Sequence, residues 1–339
     1  MAVNTNDYSS PLSQDTSRGP SQSIWSQFQV GDAQQDRGGG TGGPGVEIWD
    51  DFCPLPSPTT QGGALGGIGG LGQWASWLDT SQTVLDGNEE GGVAKLTGAA
   101  TANKTSFFSS NAGMFRFFGA STAYTQNPAK FGMECRVAFS SVASADCGFF
   151  FGLADSTSSQ INSSATTILA ASGNTLTTTK NLFGFFKRAT TNYSDFSFVY
   201  QPAGGTAVYP TGLTTLVNTV TGSNLAAYAA STDVGKGTGF VKIGMVYDPT
   251  SANPAVVTPA SPPANMTAGN LRRPTLRFYV NGQLHGQFIS FADINPGSSS
   301  NAFPGTASYC PCFGYSNQNA STAHIVYLDW VRYYQQASF

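Results

Sequence analysis

Charged residues are scarce in this 339-residue chain. They make up 10% of it, against about 25% in ordinary soluble domains. The net charge is −3, and no run of Lys or Arg marks a nucleic-acid-binding surface. No apolar run is long enough to cross a bilayer, and the first residues lack the basic and apolar regions of a secretory signal. We therefore expect no nucleic acid or membrane partner and synthesis in a cytoplasm. A surface with so little charge suits packing against other proteins.

Cysteine and histidine are also few. The five cysteines form no regular spacing that would predict a disulfide framework. Cys135 and Cys147 fall in apolar strand patterns, whereas Cys310 and Cys312 flank a proline. With only two histidines in the chain, a zinc site lacks nearby ligands. We predict buried free thiols, no metal and no cofactor.

Short alternating strands are what the sequence does contain. Residues 131–139 alternate apolar with small or charged side chains, which predicts a half-buried strand with an opposite-charge pair on its polar side. Residues 148–153 are apolar on both faces and predict a central strand. Asn281-Gly282 is a strong type I′ turn signal, so residues 275–280 and 283–289 should form a hairpin. Further strands are predicted at residues 93–96, 114–118, 182–186 paired with 196–200, 241–247 and 328–332.

These strands are separated by Gly, Pro and Asn turns, and no window supports a long amphipathic helix. The pattern predicts an all-β sandwich of two antiparallel sheets. The sandwich should occupy residues 46–339, with long inserted loops at residues 203–237 and 250–271. Loops of this length in a compact domain usually carry function or make contacts.

The first 45 residues differ in composition from the rest. They are rich in Ser, Gln, Asp and Gly and have no core of their own. One apolar island interrupts them, formed by Ile24, Trp25, Phe28 and Val30. We predict an extended N-terminal arm over residues 1–45 whose island anchors the chain by burial against a partner chain.

The strand order, the Asn281-Gly282 hairpin and the closing strand Asp329-Trp330-Val331-Arg332 resemble the concanavalin A-like lectin/glucanase sandwich. This resemblance covers about residues 49–334, and it implies a jelly-roll arrangement of the two sheets. Glycosidases, lectins and phage particle proteins use this fold. The opening Trp49-Asp50-Asp51-Phe52 and the Gly-rich segment at residues 91–98 resemble sandwich proteins of tailed-phage particles.

The phage resemblance implies a non-enzymatic structural protein of the virion, decorating or cementing the capsid surface through its arm and loops. The major capsid protein, or another virion protein, would be its partner, with further copies of the chain in a homo-oligomer. Synthesis would take place in the host cytoplasm. The alternative is a carbohydrate-binding module on a fibre or adhesin. Its glycan or calcium site would draw on side-chain oxygens and a stacking ring, from Asp155, Asn192, Tyr193 and Asp195.

A glycoside hydrolase is the third and weakest alternative. A glucanase of this fold would carry the motif Glu-x-Asp-x-x-Glu on one strand, which is absent here. Glu134 has Gly132 and Arg136 as its neighbours on the same face, and Glu89-Glu90 lies in a turn. Retaining hydrolysis needs two carboxyls about 5–5.5 Å apart. Because neither His285 nor His324 lies beside an obvious nucleophile and orienting acid in the sequence, we predict no catalytic residues.

Overall fold

The structure is a computed structural model. It describes residues 18–28, 45–50, 52, 66–68, 74–78, 83–86, 93–97, 100, 104–110, 115, 130–142, 147–155, 168–169, 175–177, 179–189, 195–210, 213–217, 225–229, 238–248, 275–284, 289–290, 308–318 and 322–336. A short helix, α1, spans Gln22–Trp25. The strands, in chain order, are β1 Gly45–Asp50, β2 Gly66–Ile68, β3 Trp74–Leu78, β4 Thr83–Asp86, β5 Ala94–Thr97, β6 Lys104–Ser110, β7 Phe131–Phe139, β8 Cys147–Asp155, β9 Leu182–Lys187, β10 Ser197–Gln201, β11 Val241–Asp248, β12 Thr275–Val280, β13 Gln283–Leu284, β14 Ile289–Ser290, β15 Tyr309–Asn317 and β16 Ile325–Gln336.

The described strands form two antiparallel sheets, which confirms the predicted all-β sandwich. Sheet A runs in the order β13-β12-β11-β7-β16-β5-β4, with β1 also paired to β16 and β14 to β12. Sheet B runs in the order β10-β9-β8-β15-β6-β3-β2. Consecutive strands pair towards the ends of both sheets, whereas the strands at the centre pair with partners far away in sequence, as in the pairing of β7 with β16. In the described part of the chain, no helix is long and apolar enough to span a membrane.

The core lies between the two sheets and is rich in aromatic rings. On β7 the odd-numbered residues from Phe131 to Phe139 are fully buried in it, as the alternation predicts. The prediction of a half-buried strand is wrong, because most of the outward-facing residues of β7 are buried as well. Phe139 of sheet A meets Phe149 of sheet B edge to face, with the ring centroids 5.9 Å apart. Phe185 and Phe278 make a second such contact across the sheets at 6.2 Å. The period-two pattern therefore decides which side chains fill the sandwich.

The predicted hairpin is present. β13 and β14 both pair with β12, and Asn281 and Gly282 form the turn with φ angles of 47° and 73°. Positive φ at both central positions is what a type I′ turn requires. The loop between β13 and β14 lies outside the described residues.

Most of the other predicted strands are confirmed. β8 lies between β9 and β15, which makes it a central strand, and β9 pairs with β10. In the segment predicted as a strand at residues 114–118, only Phe115 is described, where it forms an isolated bridge with Tyr309. Four cysteines are buried and free, as predicted; they are Cys135, Cys147, Cys310 and Cys312.

The N-terminal arm departs from the prediction. Residues 18–28 are not extended away from the body: they contain α1 and pack on the outer face of sheet A. The composition of the arm showed that it has no hydrophobic core of its own. It did not reveal that the arm packs against the sandwich of the same chain. Residues 1–17 and 29–44 lie outside the described residues, so the boundary between arm and body at residue 45 stays a prediction.

The inserted loop at residues 203–237 also packs on its own chain where it is described. Leu213 and Leu216 are fully buried in the core, and Leu225 lies at its edge. The second loop, residues 250–271, lies entirely outside the described residues.

Candidate functional site

The outer face of sheet A carries the most unusual constellation in the described chain. Alternation along β7, β11 and β16 directs one set of side chains into the core and the other set outward. The outward set combines two glycines, two cations, one buried carboxylate and one aromatic ring where a solvated sheet would carry ordinary polar side chains. We call this surface the docking face; it consists of Gly132, Glu134, Lys242, Gly244, Arg332 and Tyr334. Residues 18–28, which we call the anchor, cover it.

The two glycines make room for the apolar side chains of the anchor. A Cβ atom at Gly132 would lie 2.6 Å from the Phe28 ring, and one at Gly244 would lie 2.6 Å from Cδ1 of Ile24. Ile24 is fully buried and Phe28 is 5% exposed. The Phe28 ring also meets Tyr334 edge to face at 5.4 Å. The anchor thus fits the sheet where β7 and β11 have no side chains.

Trp25 joins the apolar contact to the polar centre of the face. Its indole Nε1 donates a hydrogen bond of 2.6 Å to Oε2 of Glu134. The guanidinium of Arg332 lies over the Trp25 ring, 4.2 Å from its centroid, in a cation–π contact. Because Trp25 is 6% exposed, these interactions take place away from solvent.

Glu134 is fully buried under the anchor. Its Oε2 also accepts a 3.0 Å hydrogen bond from the backbone N–H of Ser21, whereas Oε1 has no partner among the described residues. Burial raises the pKa of the Glu134 carboxyl, although the bonds from Ser21 and Trp25 and the charge of Lys242 oppose that rise. The anchor therefore both buries this carboxylate and supplies its hydrogen-bond donors.

The prediction that Glu134 and Arg136 of β7 form an opposite-charge pair with each other is wrong. Glu134 binds the anchor, while Arg136 forms an ion pair with the buried Asp329 of β16. The same Asp329 receives Arg18, whose Nη2 lies 2.6 Å from Oδ1. Sequence neighbours on a strand face compete with residues of adjacent strands, and here the adjacent strand and the anchor provide the closer partners.

Lysines of the body fix the two ends of the anchor through its backbone. Lys242 Nζ donates to the carbonyl of Gly19 at 3.0 Å, before α1. Lys130 Nζ donates to the carbonyl of Gln27 at 2.9 Å, after α1. Hydrogen bonds from a charged donor are stronger than neutral ones, so the lysines set the position of the short helix along the sheet.

The island was predicted to bind a partner chain, and the structure corrects where it binds. Ile24, Trp25 and Phe28 are buried against the sheet of their own chain, and Val30 lies outside the described residues. The sequence analysis identified the anchor but missed its receptor, because the receptor is assembled from three strands distant in sequence. One signal was present: a glycine inside a strand often marks close approach by another segment, as at Gly132 and Gly244.

The residues proposed for glycan binding do not converge where they are described. Asp155 is the last residue of β8 and accepts hydrogen bonds from the backbone N–H and the side-chain amide of Asn181, just before β9. Asp195 caps the start of β10, which lies beside the far end of β9. At about 3.3 Å per residue, the two carboxylates lie more than about 15 Å apart along the sheet. Asn192 and Tyr193 lie outside the described residues.

Asp155 and Asp195 also have local structural roles. Oδ1 of Asp195 accepts the N–H groups of Phe196 and Val217, which ties the inserted loop to β10. Both carboxylates are nearly fully buried. Their hydrogen bonds explain their burial without a ligand.

The outer face of sheet B is covered as well. Ile168, Leu169 and Leu176 pack with outward side chains of β8 and β15 in a second apolar cluster, which Tyr209 borders. Along the strands of sheet B, Asp155 is the only acidic residue. This face therefore presents an apolar layer in its described part and no pair of strand carboxylates.

Within the ranges that the structure describes, no group of three or more His, Cys, Asp or Glu side chains is arranged to hold a metal ion. The absence of a metal or cofactor stays a prediction for the whole chain.

Comparisons with known proteins give similarity of fold only. No family model and no curated protein sequence matches the chain. A protein of unknown function from Shewanella oneidensis MR-1 is similar, with TM-score 0.41, 10% identity and coverage of 87% of this chain and 88% of that one. An endo-1,3-beta-glucanase from Streptomyces sioyaensis has TM-score 0.43, 13% identity and coverage of 87% and 98%. Peanut lectin has TM-score 0.42, 12% identity and coverage of 86% and 97%.

The solved structures similar to the chain thus include lectin and glucanase sandwiches, the fold class that the sequence resembles. At these identities and TM-scores they bear on neither ligand nor activity. The fold itself rests on the two antiparallel sheets and the core between them: the chain is an all-β, jelly-roll-like sandwich.

Proposed function

We propose that this chain is a non-enzymatic structural protein of a phage particle that decorates or cements the capsid. The observation that carries the proposal is the coverage of both sheets by segments of the same chain. The anchor covers part of sheet A, and an apolar layer covers part of sheet B. Such a sandwich offers rigid support and side surfaces for packing. The area of its sheets that is left open to bind a sugar or to carry catalytic groups is reduced.

The engagement of carboxylates supports a non-enzymatic role. On sheet A, Glu134 is bound by the anchor, Asp329 by two arginines and Asp248 by Arg277 at 2.8 Å. Glycoside hydrolysis needs a carboxyl pair open to the sugar, with one group as the acid. These carboxylates are instead committed to structural ion pairs and hydrogen bonds.

The low charge of the chain supports a role in assembly. With 10% charged residues, little desolvation of charge opposes its packing against a capsid protein or a second copy. The inserted loops at residues 203–237 and 250–271 are the proposed contacts with the particle. The virion surface is accordingly the proposed location.

The test is binding to purified particles that lack the protein. We expect saturable binding and a higher temperature of particle disruption after the full chain is added. An equal amount of heat-unfolded chain serves as the control. Particles that neither bind the chain nor gain heat resistance would overturn the proposal.

Two further assays separate the alternatives. Binding of the isolated chain to a glycan array would favour a carbohydrate-binding module. Hydrolysis of a polysaccharide that is lost in the Glu134→Gln variant, and kept in a Glu47→Gln control, would favour an enzyme. If the role is structural, we expect neither glycan binding nor polysaccharide hydrolysis.

A further inference from the structure

We propose that the docking face binds the anchor of a second copy of this chain, so that two copies exchange anchors and form a closed dimer. The proposal goes beyond the particle role above and concerns the protein in solution. Three features of the chain support it, and symmetry sets the number of copies.

The first feature is that the docking face does not depend on the anchor for its backbone. β7 is hydrogen-bonded to β11 on one side and to β16 on the other along its length. α1 is only four residues long and adds no strand to the sheet. The face is therefore formed by the sandwich itself, and an identical anchor from another copy meets the same surface.

The second feature is the length of chain between the anchor and the body. Phe28 ends the anchor and Gly45 begins β1, yet both lie against the same Tyr334 side chain. Within one chain, the connecting segment therefore joins two points that contact one side chain. Sixteen residues, residues 29–44, join the two points, and six of them are glycine. Sixteen residues can span up to about 50 Å, which is ample to reach a neighbouring copy.

The third feature is the specificity of the face for this one occupant. Oε2 of Glu134 receives its hydrogen bonds from Ser21 and Trp25. The Lys242 ammonium binds the Gly19 carbonyl. A face without an anchor would expose apolar surface together with these polar groups. The occupant that satisfies all of them is another copy of residues 18–28.

Symmetry sets the number of chains in the exchanged assembly. If one copy gives its anchor to a second, its own face is left open for the anchor of that second copy. Reciprocal exchange fills both faces and closes the assembly at two chains, as in domain swapping. The anchor makes the same contacts in the monomer and in the dimer, so the protein concentration decides which of the two forms predominates. A tethered anchor has an effective concentration of about millimolar, so the wild-type chain should dimerise mainly at high local concentration.

Complementary variants make exchange visible at lower concentration. The first variant, Trp25→Ala/Phe28→Ala, has an intact face but a defective anchor. The second, Gly132→Leu, has an intact anchor but a blocked face. The nearest atoms to a Cβ at Gly132 all belong to the Phe28 and Trp25 rings, at 2.6, 2.7 and 3.6 Å. The substitution therefore obstructs the anchor and spares the sheet.

We expect each variant to sediment alone as a monomer with the circular dichroism of the folded wild-type chain. An equimolar mixture should form a heterodimer, with association at least about tenfold tighter than that of either variant alone. The matched control replaces the first variant with Trp25→Ala/Phe28→Ala/Gly132→Leu, whose face is also blocked, and it should abolish the heterodimer. A mixture that stays monomeric would overturn the proposal, whatever the result with particles.

A second measurement covers the case in which Gly132→Leu fails to fold. A fluorescein-labelled peptide of residues 18–28 is titrated with the Trp25→Ala/Phe28→Ala protein. Saturable binding, lost when Trp25 of the peptide is replaced by alanine, would support trans docking. Absence of binding would refute it.

Discussion

Replacing Trp25 with alanine should release the anchor and leave the sandwich folded. In a closed core, truncation of a buried tryptophan costs about 3–5 kcal/mol. Here the loss has an upper limit, because the anchor can leave the docking face. Water then hydrates Glu134, which would otherwise stay buried without its 2.6 Å indole donor. The free energy of unfolding should therefore fall by no more than the free energy of docking.

This limit predicts that substitutions in the anchor are not additive. Once Trp25→Ala has released the anchor, adding Phe28→Ala should change the free energy of unfolding by less than about 0.5 kcal/mol, the usual scatter of additive sites. Trp25→Phe keeps an aromatic ring but removes the donor to Glu134 together with part of the buried indole. It should cost at least about 1.5–3 kcal/mol, the range for a hydrogen bond to a charged group.

Guanidinium denaturation followed by far-UV circular dichroism measures these losses. Hydrogen exchange locates them: the Ser21 amide, which is bound to Glu134, should lose protection in Trp25→Ala while the amides of β7 keep theirs. Additive losses, or loss of protection in β7 together with the anchor, would show that the anchor is an inseparable part of the core.

Three further predictions concern the face and the core. Burial raises the pKa of Glu134 above its ordinary 4.5, so docking should be strongest below pH 4.5 and weaken as pH rises through the raised value. Hydrogen exchange of the anchor amides, corrected for the intrinsic rate, should show protection that falls between about pH 4 and 7. The Glu134→Gln variant should lose this pH dependence. Asp329→Ala leaves two arginines without their carboxylate and should lower the free energy of unfolding by about 3–5 kcal/mol; an unchanged denaturation midpoint would contradict this. Gly152→Ala places a Cβ 2.2 Å from the Phe183 carbonyl oxygen and should reduce the melting temperature sharply. The control Gly314→Ala, whose nearest contact is a flexible side chain at 3.4 Å, should not.

The sequence predicted the elements whose signals are local. The hairpin followed from Asn281-Gly282, because that dipeptide accepts two positive φ angles. The burial of alternate residues in β7 followed from the two-residue period of a strand. The apolar island around Trp25 stood out as an anchor because its neighbours are polar. Each of these features depends on a few adjacent residues, so the chain itself encodes it.

Convergence of distant residues could not be predicted in this way. Asp155 and Asp195 each lie near a strand end, but only the pairing of β9 with its neighbours shows that they are opposite ends. Glu134 was expected to pair with Arg136, two residues along the strand. The sheet offered Arg136 a closer carboxylate on β16, and the anchor gave Glu134 its donors.

The sequence by itself determined that the chain folds as a β sandwich and that residues 24–28 are buried on something. Periodicity and turn chemistry act over a few residues, and apolar side chains avoid water wherever they find a surface. The tertiary structure alone decided what that surface is. Gly132, Glu134 and Gly244 form a receptor only because β7 and β11 are adjacent in register. That adjacency is set by long-range pairing between strands about a hundred residues apart, which no local pattern specifies.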